Sequence, residues 1–149
     1  MTLGRFHVTT DNSVEAMIVG MDHPIVYITV QGPPLVQKRS RVRVLGRGHP
    51  VVYDPSRRSK WTYKQAIRNA MADLGTTDFP FFQGRKLKLT VTFALTNQAK
   101  DVDNLLKFVM DACEKVLYKN NALIWEAAEK KITVASAEQF TQIQVEELL

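Results

Sequence analysis

The chain has 149 residues, 45% of them hydrophobic, and 20 Lys and Arg against 15 Asp and Glu give it a formal net charge of +5. That length and hydrophobic content point to one globular domain with a real core and exclude a disordered chain. No apolar run reaches the roughly 18–20 residues of a membrane span, and Met1 to Gly20 lacks the basic start and apolar centre of a secretion signal, so a soluble intracellular protein with no membrane partner is expected.

Met1 to Asp22 shows no sustained period and reads as a tail or a weakly paired edge element. Residues 1–23 are accordingly taken as an N-terminal extension and 24–149 as a single domain. Pro24 to Gln31, rich in β-branched residues, predicts a first strand that Gly32-Pro33-Pro34 ends. From Leu35 to Pro50 apolar and basic residues alternate around Gly46 and Gly48, which predicts a loop or a strand with a mobile tip.

The basic excess concentrates here and just beyond, at Lys38, Arg39, Arg41, Arg43, Arg47, Arg57, Arg58 and Lys60. A polyanion is the partner such a segment suits, because the guanidinium fork bonds phosphate oxygens in pairs while lysine acts as a point charge. Lys38, Arg39, Arg41, Arg43, Arg57, Arg58 and Lys60 are the candidate DNA-binding residues. An ordinary solvated basic surface is the competing reading.

Tyr53-Asp54-Pro55-Ser56 predicts a turn into a helix from about Ser59 to Leu74, stopped by Gly75. Trp61 and Tyr63 at its start are able to stack on bases, although aromatic residues there more often belong to the core or to a hydrophobic staple. Thr76 to Gly84, with three phenylalanines and Pro80, reads as a connector covering the edge of the core. Lys86 to Leu95 alternates Leu87, Leu89, Val91, Phe93 and Leu95 with polar residues and predicts a strand with one buried face.

Lys100-Asp101-Val102-Asp103-Asn104-Leu105-Leu106-Lys107 follows, at a strand-to-helix corner. Helical spacing from Val102 puts Val102, Leu105, Leu106, Val109, Cys113, Val116 and Leu117 on one apolar face, with Asp103, Lys107, Asp111 and Glu114 opposite. Cys113 is therefore expected as a buried free thiol. Asp101 is a natural N-cap, and both acids sit where the helix dipole favours negative charge. The same pair suits a hard divalent cation such as Mg2+, which binds few protein carboxylates and keeps waters. Lys107, one turn beyond Asp103, then faces either that carboxylate or a phosphate.

Tyr118-Lys119-Asn120-Asn121 reads as a turn. Local propensity favours helix over Ala122 to Lys131, while Leu123-Ile124-Trp125 equally suits the start of a strand. Ile132 to Val134 reads as extended, and the alternation of Thr141, Ile143 and Val145 predicts a closing strand.

Taken in order, these pieces resemble the RusA family of Holliday-junction resolvases. The resemblance rests on Gly32-x-Pro34 with its basic loop, the helix from Tyr63 to Leu74, the amphipathic strand, Asp101-x-Asp103-Asn104-Leu105-x-Lys107, Asp111-Ala112, Leu117-Tyr118-Lys119 and the later Lys130 or Lys131; it covers about 24 to 147. It implies an α+β fold, a small mixed β-sheet packed by two main helices. It also implies a homodimer that places paired nicks in four-way DNA junctions with Mg2+, or Mn2+ in its place, in the cytoplasm or nucleoid of a bacterial or phage-infected cell. Asp101 and Asp103 would be metal ligands and catalytic residues, with Lys107 stabilising the phosphate or leaving group. The resemblance further favours strand over helix from Leu123 to Lys130, and that reading is adopted.

One departure bears on activity. Where the family pattern has two aspartates after the Tyr-Lys pair, the second a metal-site carboxylate, this chain has Asn120-Asn121. Asn121 is thus a degenerate ligand position: its amide oxygen is able to coordinate a hard cation but brings no charge. Glu126 is a candidate replacement, reaching Asn121 only through a bulge. An attenuated endonuclease is the first expectation, and a catalytically inactive branched-DNA-binding dimer is the alternative.

Overall fold

The computed structural model describes residues 7–8 and 14–149. The alternating segment predicted at Lys86 to Leu95 forms strand β6 (Leu87–Leu95), whose Leu87, Leu89, Val91, Phe93 and Leu95 are all buried. Each such side chain contributes about 1.5–3 kcal/mol by leaving water.

Around β6 a six-stranded sheet assembles from β1 (His7–Val8), β2 (Val14–Val19), β3 (Ile25–Gln31), β8 (Phe140–Glu147), β6 and β7 (Ile124–Thr133), in that spatial order. All pairings are antiparallel except β6 with β7, so the sheet is mixed. Register carries the buried face across it: Ala16 pairs with Ile28, Ile28 with Ile143, and Ile143 with Val91. The helices α1 (Arg57–Asp73) and α2 (Val102–Cys113) bury Ile67, Ala70, Met71, Leu105, Phe108 and Val109 in the same core. An edge-to-face contact of Tyr63 with Phe108, 5.3 Å between centroids, joins them. The α+β architecture with two main helices therefore holds.

Three local expectations are corrected and one adopted reading holds. The segment Met1 to Asp22, read as a tail or weak edge, contributes β2, which pairs with β3 along its full length and buries Val14 and Ala16; two hydrophobic positions suffice once a neighbouring strand supplies the backbone bonds. Helix α2 stops at Cys113, short of Val116 and Leu117. Glu114 turns extended and Lys115 takes a φ of 72°, yet both apolar residues remain buried beyond the helix end. The buried Tyr118 hydroxyl donates to the Met110 carbonyl at 2.7 Å and so satisfies one of the last carbonyls of α2. The strand adopted from Leu123 to Lys130 holds against the local helical propensity: a short 3-10 turn, Asn121–Leu123, leads into β7, because pairing with β6 satisfies the backbone there. Finally, Trp61 is 62% exposed and joins no core cluster, while Tyr63 is buried.

Cys113 is a buried free thiol, and burial pushes its pKa up to about 12. The native protein should therefore react with a thiol reagent only as fast as it unfolds, its rate rising with denaturant; prompt labelling of the folded protein would contradict the packing.

The segment from Leu35 to Pro50 resolves into a hairpin outside the main sheet. Strand β4 (Arg41–Leu45) pairs with β5 (His49–Tyr53) across a 3-10 turn at Gly46–Gly48. Arg41 and Arg43 lie in register with Tyr53 and Val51, and the Arg43 guanidinium stands 5.4 Å from the Tyr53 ring centroid.

Candidate active site and nucleic-acid interface

The acidic corner is built where the chain leaves β6 for α2. Asp101 is the N-cap, its Oδ1 accepting from the Asp103 amide at 3.0 Å. The Asp103 carboxylate is exposed and makes no hydrogen bond or ion pair among the described residues. Both acids thus present carboxylate oxygens to solvent at the positive end of a twelve-residue helix.

Two contacts bring the basic segment to this corner. Lys100 Nζ donates to the Pro34 carbonyl at 2.6 Å, and the Gln37 amide donates to the Asn104 carbonyl at 2.9 Å. Gly32, at φ 104°, makes the turn out of β3 that allows this return. Lys38 and Arg39, both exposed, follow directly. Arg41, Arg43, Arg57 and Arg58 are exposed as well, on the hairpin and on the first turn of α1.

Lys60 behaves differently. It is 16% exposed, and its ammonium lies 2.6 Å from Asp54 Oδ2, 3.1 Å from Asp111 Oδ2 and 2.7 Å from Gln37 Oε1. Asp54 in turn accepts from the Gln37 amide and the Ser56 backbone. Burial works against both charges, but the hydrogen bonds outweigh it: Lys60, bonded to Asp54 and Asp111, is raised above its ordinary value, and Asp54, bonded to Lys60, Ser56 and Gln37, is lowered below its own. This cluster ties the turn before α1 to the last turn of α2, and spacing in the sequence does not reveal it. The one available signal was Asp54-Pro55-Ser56, a turn whose carboxylate caps its own backbone.

Asp111 is the meeting point. Besides Lys60 it accepts Lys107 Nζ at 3.4 Å, one helical turn away, and the Asn121 side-chain Nδ2 at 2.9 Å. Asn121 is therefore bonded to Asp111, roughly two turns along α2 from Asp103. Its other atom, Oδ1, is buried without a hydrogen-bond partner. An orphaned buried acceptor costs about 1–3 kcal/mol unless something fills its lone pairs. Asn120 has a structural task instead, accepting from the Ala122 amide at 2.9 Å to cap the turn before β7.

For a divalent cation the donor set is thin. Among the described residues no group of three or more His, Cys, Asp or Glu is arranged to hold a metal. Two carboxylates with waters suffice for Mg2+, and the free oxygens of Asp101 and Asp103 fit a weak site of this kind, whereas the buried Asn121 Oδ1 stays beside Asp111, about two helical turns away. A bulge of the kind Glu126 would need to reach Asn121 is present as a register shift between Leu87 and Lys88, where β7 steps from Ile124 to Glu126, but Glu126 remains exposed.

A family model described as Endodeoxyribonuclease RusA matches residues 31–146, which include every residue of this corner and of the basic hairpin. No curated protein matches the chain.

Proposed function

The chain belongs to the endodeoxyribonuclease RusA family, and from that membership we propose that it is a structure-selective nuclease resolving four-way DNA junctions by metal-assisted phosphodiester hydrolysis. The observation that supports this most is the pairing of Asp101 and Asp103, both open to solvent at the start of α2, with the basic segment pinned alongside through Gln37 and Asn104.

In this reading Asp101 and Asp103 hold Mg2+, or Mn2+ in its place, and Asn121 offers only an amide oxygen. A bound divalent ion supplies an acidified water nucleophile and offsets charge on the phosphorane-like transition state. The chain's own residues do the rest. Lys38, Arg39, Arg41 and Arg43 hold the phosphate backbone of an arm, and Arg57 and Arg58 extend that track to α1. Lys107, whose Nζ rests 3.4 Å from Asp111 and is 60% exposed, is free to swing toward the scissile phosphate or the leaving oxygen. Lys60, committed to Asp54 and Asp111, positions α1 against α2 rather than touching DNA. A homodimer would set two such sites about a two-fold axis, as paired nicks in opposing strands require.

The test is cleavage of a synthetic four-way junction over a range of Mg2+ and Mn2+. Cutting that Asp103→Asn abolishes, with junction binding retained and falling steeply with salt, is the expected result. A protein that binds junctions tightly but never cuts them at any metal concentration would refute the nuclease and favour a silent branched-DNA-binding dimer. A specific observation keeps that second reading open: Asp111, the acid nearest Asn121, is already neutralised by two lysines.

A further inference from the structure

Helix α1 exposes an indole that the core does not use. Trp61 closes a cleft of about 430 Å3 whose other walls are Tyr53 at the end of β5, Asp54, Pro55, Arg57 and Arg58. The cleft has two aromatic rings and a proline for its apolar walls. Its one carboxylate, Asp54, is neutralised by Lys60 at 2.6 Å. Arg57 and Arg58 are exposed and have no ion-pair partner among the described residues. Tyr53 also carries Arg43 over its ring, which joins the cleft to the basic face of the hairpin.

An aromatic slot with free guanidiniums at its rim is suited to a flat, uncharged ring carried on a chain of phosphates. We propose that this cleft binds a nucleobase: an unpaired base of a DNA strand stacks on Trp61, with Tyr53 and Pro55 as further walls, while Arg57 and Arg58 take the adjoining phosphates. Stacking is tolerant of sequence because every base has a π-face, and arginine adds cation–π attraction. The site therefore selects for unstacked bases, such as those at an opened branch point, over continuous duplex. The inference rests on the reading above only in taking DNA as the ligand.

The chain has two tryptophans, so Trp125→Phe leaves Trp61 as the only indole emitter. Titrated with an oligothymidylate of about 12 nucleotides, that variant should show saturable quenching of Trp61, with much less for a blunt duplex. Trp61→Ala should weaken oligothymidylate binding by about 5- to 150-fold, the range expected for one stacked base, and Trp61→Phe should restore most of the loss. A fully abasic strand of the same length should bind the Trp61 protein more weakly, yet bind the alanine variant no worse than oligothymidylate does. Because Trp61 is exposed, an unchanged melting temperature will show that the alanine variant is folded. Binding seen by anisotropy with no change in Trp61 emission, or equal affinity for the folded alanine variant, would overturn the proposal. Junction cleavage measured on the same preparations separates the two readings. Quenching without cutting upholds the cleft and counts against the nuclease, whereas cutting without quenching removes the cleft alone.

Discussion

Asn121→Asp should raise junction cleavage in Mg2+ at least tenfold, and Asp103→Asn in that background should remove the gain. Even outer-sphere partners of a bound metal are commonly worth 10- to 100-fold in affinity or activity, and this substitution places a formal charge at the position that the resemblance implies as a ligand. It also has a consequence that requires no catalysis. The Asn121 amide donates to Asp111 at 2.9 Å, so the substitution puts one carboxylate against another and leaves two acceptors where a hydrogen bond had been. Like charges at about 4 Å repel by roughly 4 kcal/mol at an effective dielectric of 20. Lys60 and Lys107, at 3.1 and 3.4 Å from Asp111, offset most of this. A net loss of about 1–2 kcal/mol remains, or some 3–6 °C of melting temperature for a chain of this size. Mg2+ should restore the loss, because a ligand that binds only the folded state stabilises it by mass action. A variant that melts at the same temperature with and without Mg2+ and cuts no faster would show that position 121 contributes nothing to a metal site.

The largest stability effect is expected at Lys60. Lys60→Met keeps the length of the side chain but leaves Asp54 and Asp111, which are 28% and 18% exposed, without their shared cation. Removing one partner of a fully buried ion pair costs about 3–5 kcal/mol. Partial exposure of all three groups reduces that to about 2–3 kcal/mol, a fall of roughly 5–10 °C in melting temperature. Lys107→Met is the control: Lys107 bonds the same carboxylate but is 60% exposed, so its loss should cost about 0.5 kcal/mol or less. Equal effects from the two variants would show that the buried cluster does not hold α1 to α2.

The same cluster sets a pH window. Asp54 titrates below its ordinary 3.8 in the fold, so its contribution is present above that value and is lost as pH falls through the lowered one. Lys60 titrates above its ordinary 10.5, so its contribution is present below that value and is lost as pH rises through the raised one. Between these limits the melting-temperature gap between wild type and Lys60→Met should be flat, and it should narrow on either side. A gap that persists unchanged in acid would mean that Asp54 and Lys60 are not coupled.

How far the sequence could be read depended on the range of the interactions. Period-two alternation named β6 and β8 residue by residue, and three- and four-residue spacing named Leu105, Val109 and Cys113 on the buried face of α2 but not Phe108 or Ala112, because those patterns are local consequences of backbone geometry. The Asp101 cap was legible for the same reason, since donor and acceptor lie two residues apart. Strand β2 was not legible, and β7 was reached only through the family resemblance. Each owes its conformation to a partner strand distant in the chain, and local propensity for β7 pointed to helix. Trp61 and Tyr63 show the same limit within one helix turn: alike in sequence, one is exposed and the other buried, and the packing of Phe108 from α2 decides which.

For the site, sequence by itself determined the acidic pair, its place at a helix start and the basic segment, while the missing charge at Asn120-Asn121 emerged only from the family resemblance. The first three are matters of residue type and short spacing. Only the tertiary structure decided that Lys60 turns inward to Asp54 and Asp111, that Asn121 hangs on Asp111 with one oxygen unsatisfied, and that Trp61 and Tyr53 line one open cleft. The physical reason is that charge neutralisation and side-chain burial depend on distances of about 3–4 Å between groups, and in this fold those groups come from segments that meet only after the sheet and both helices have formed.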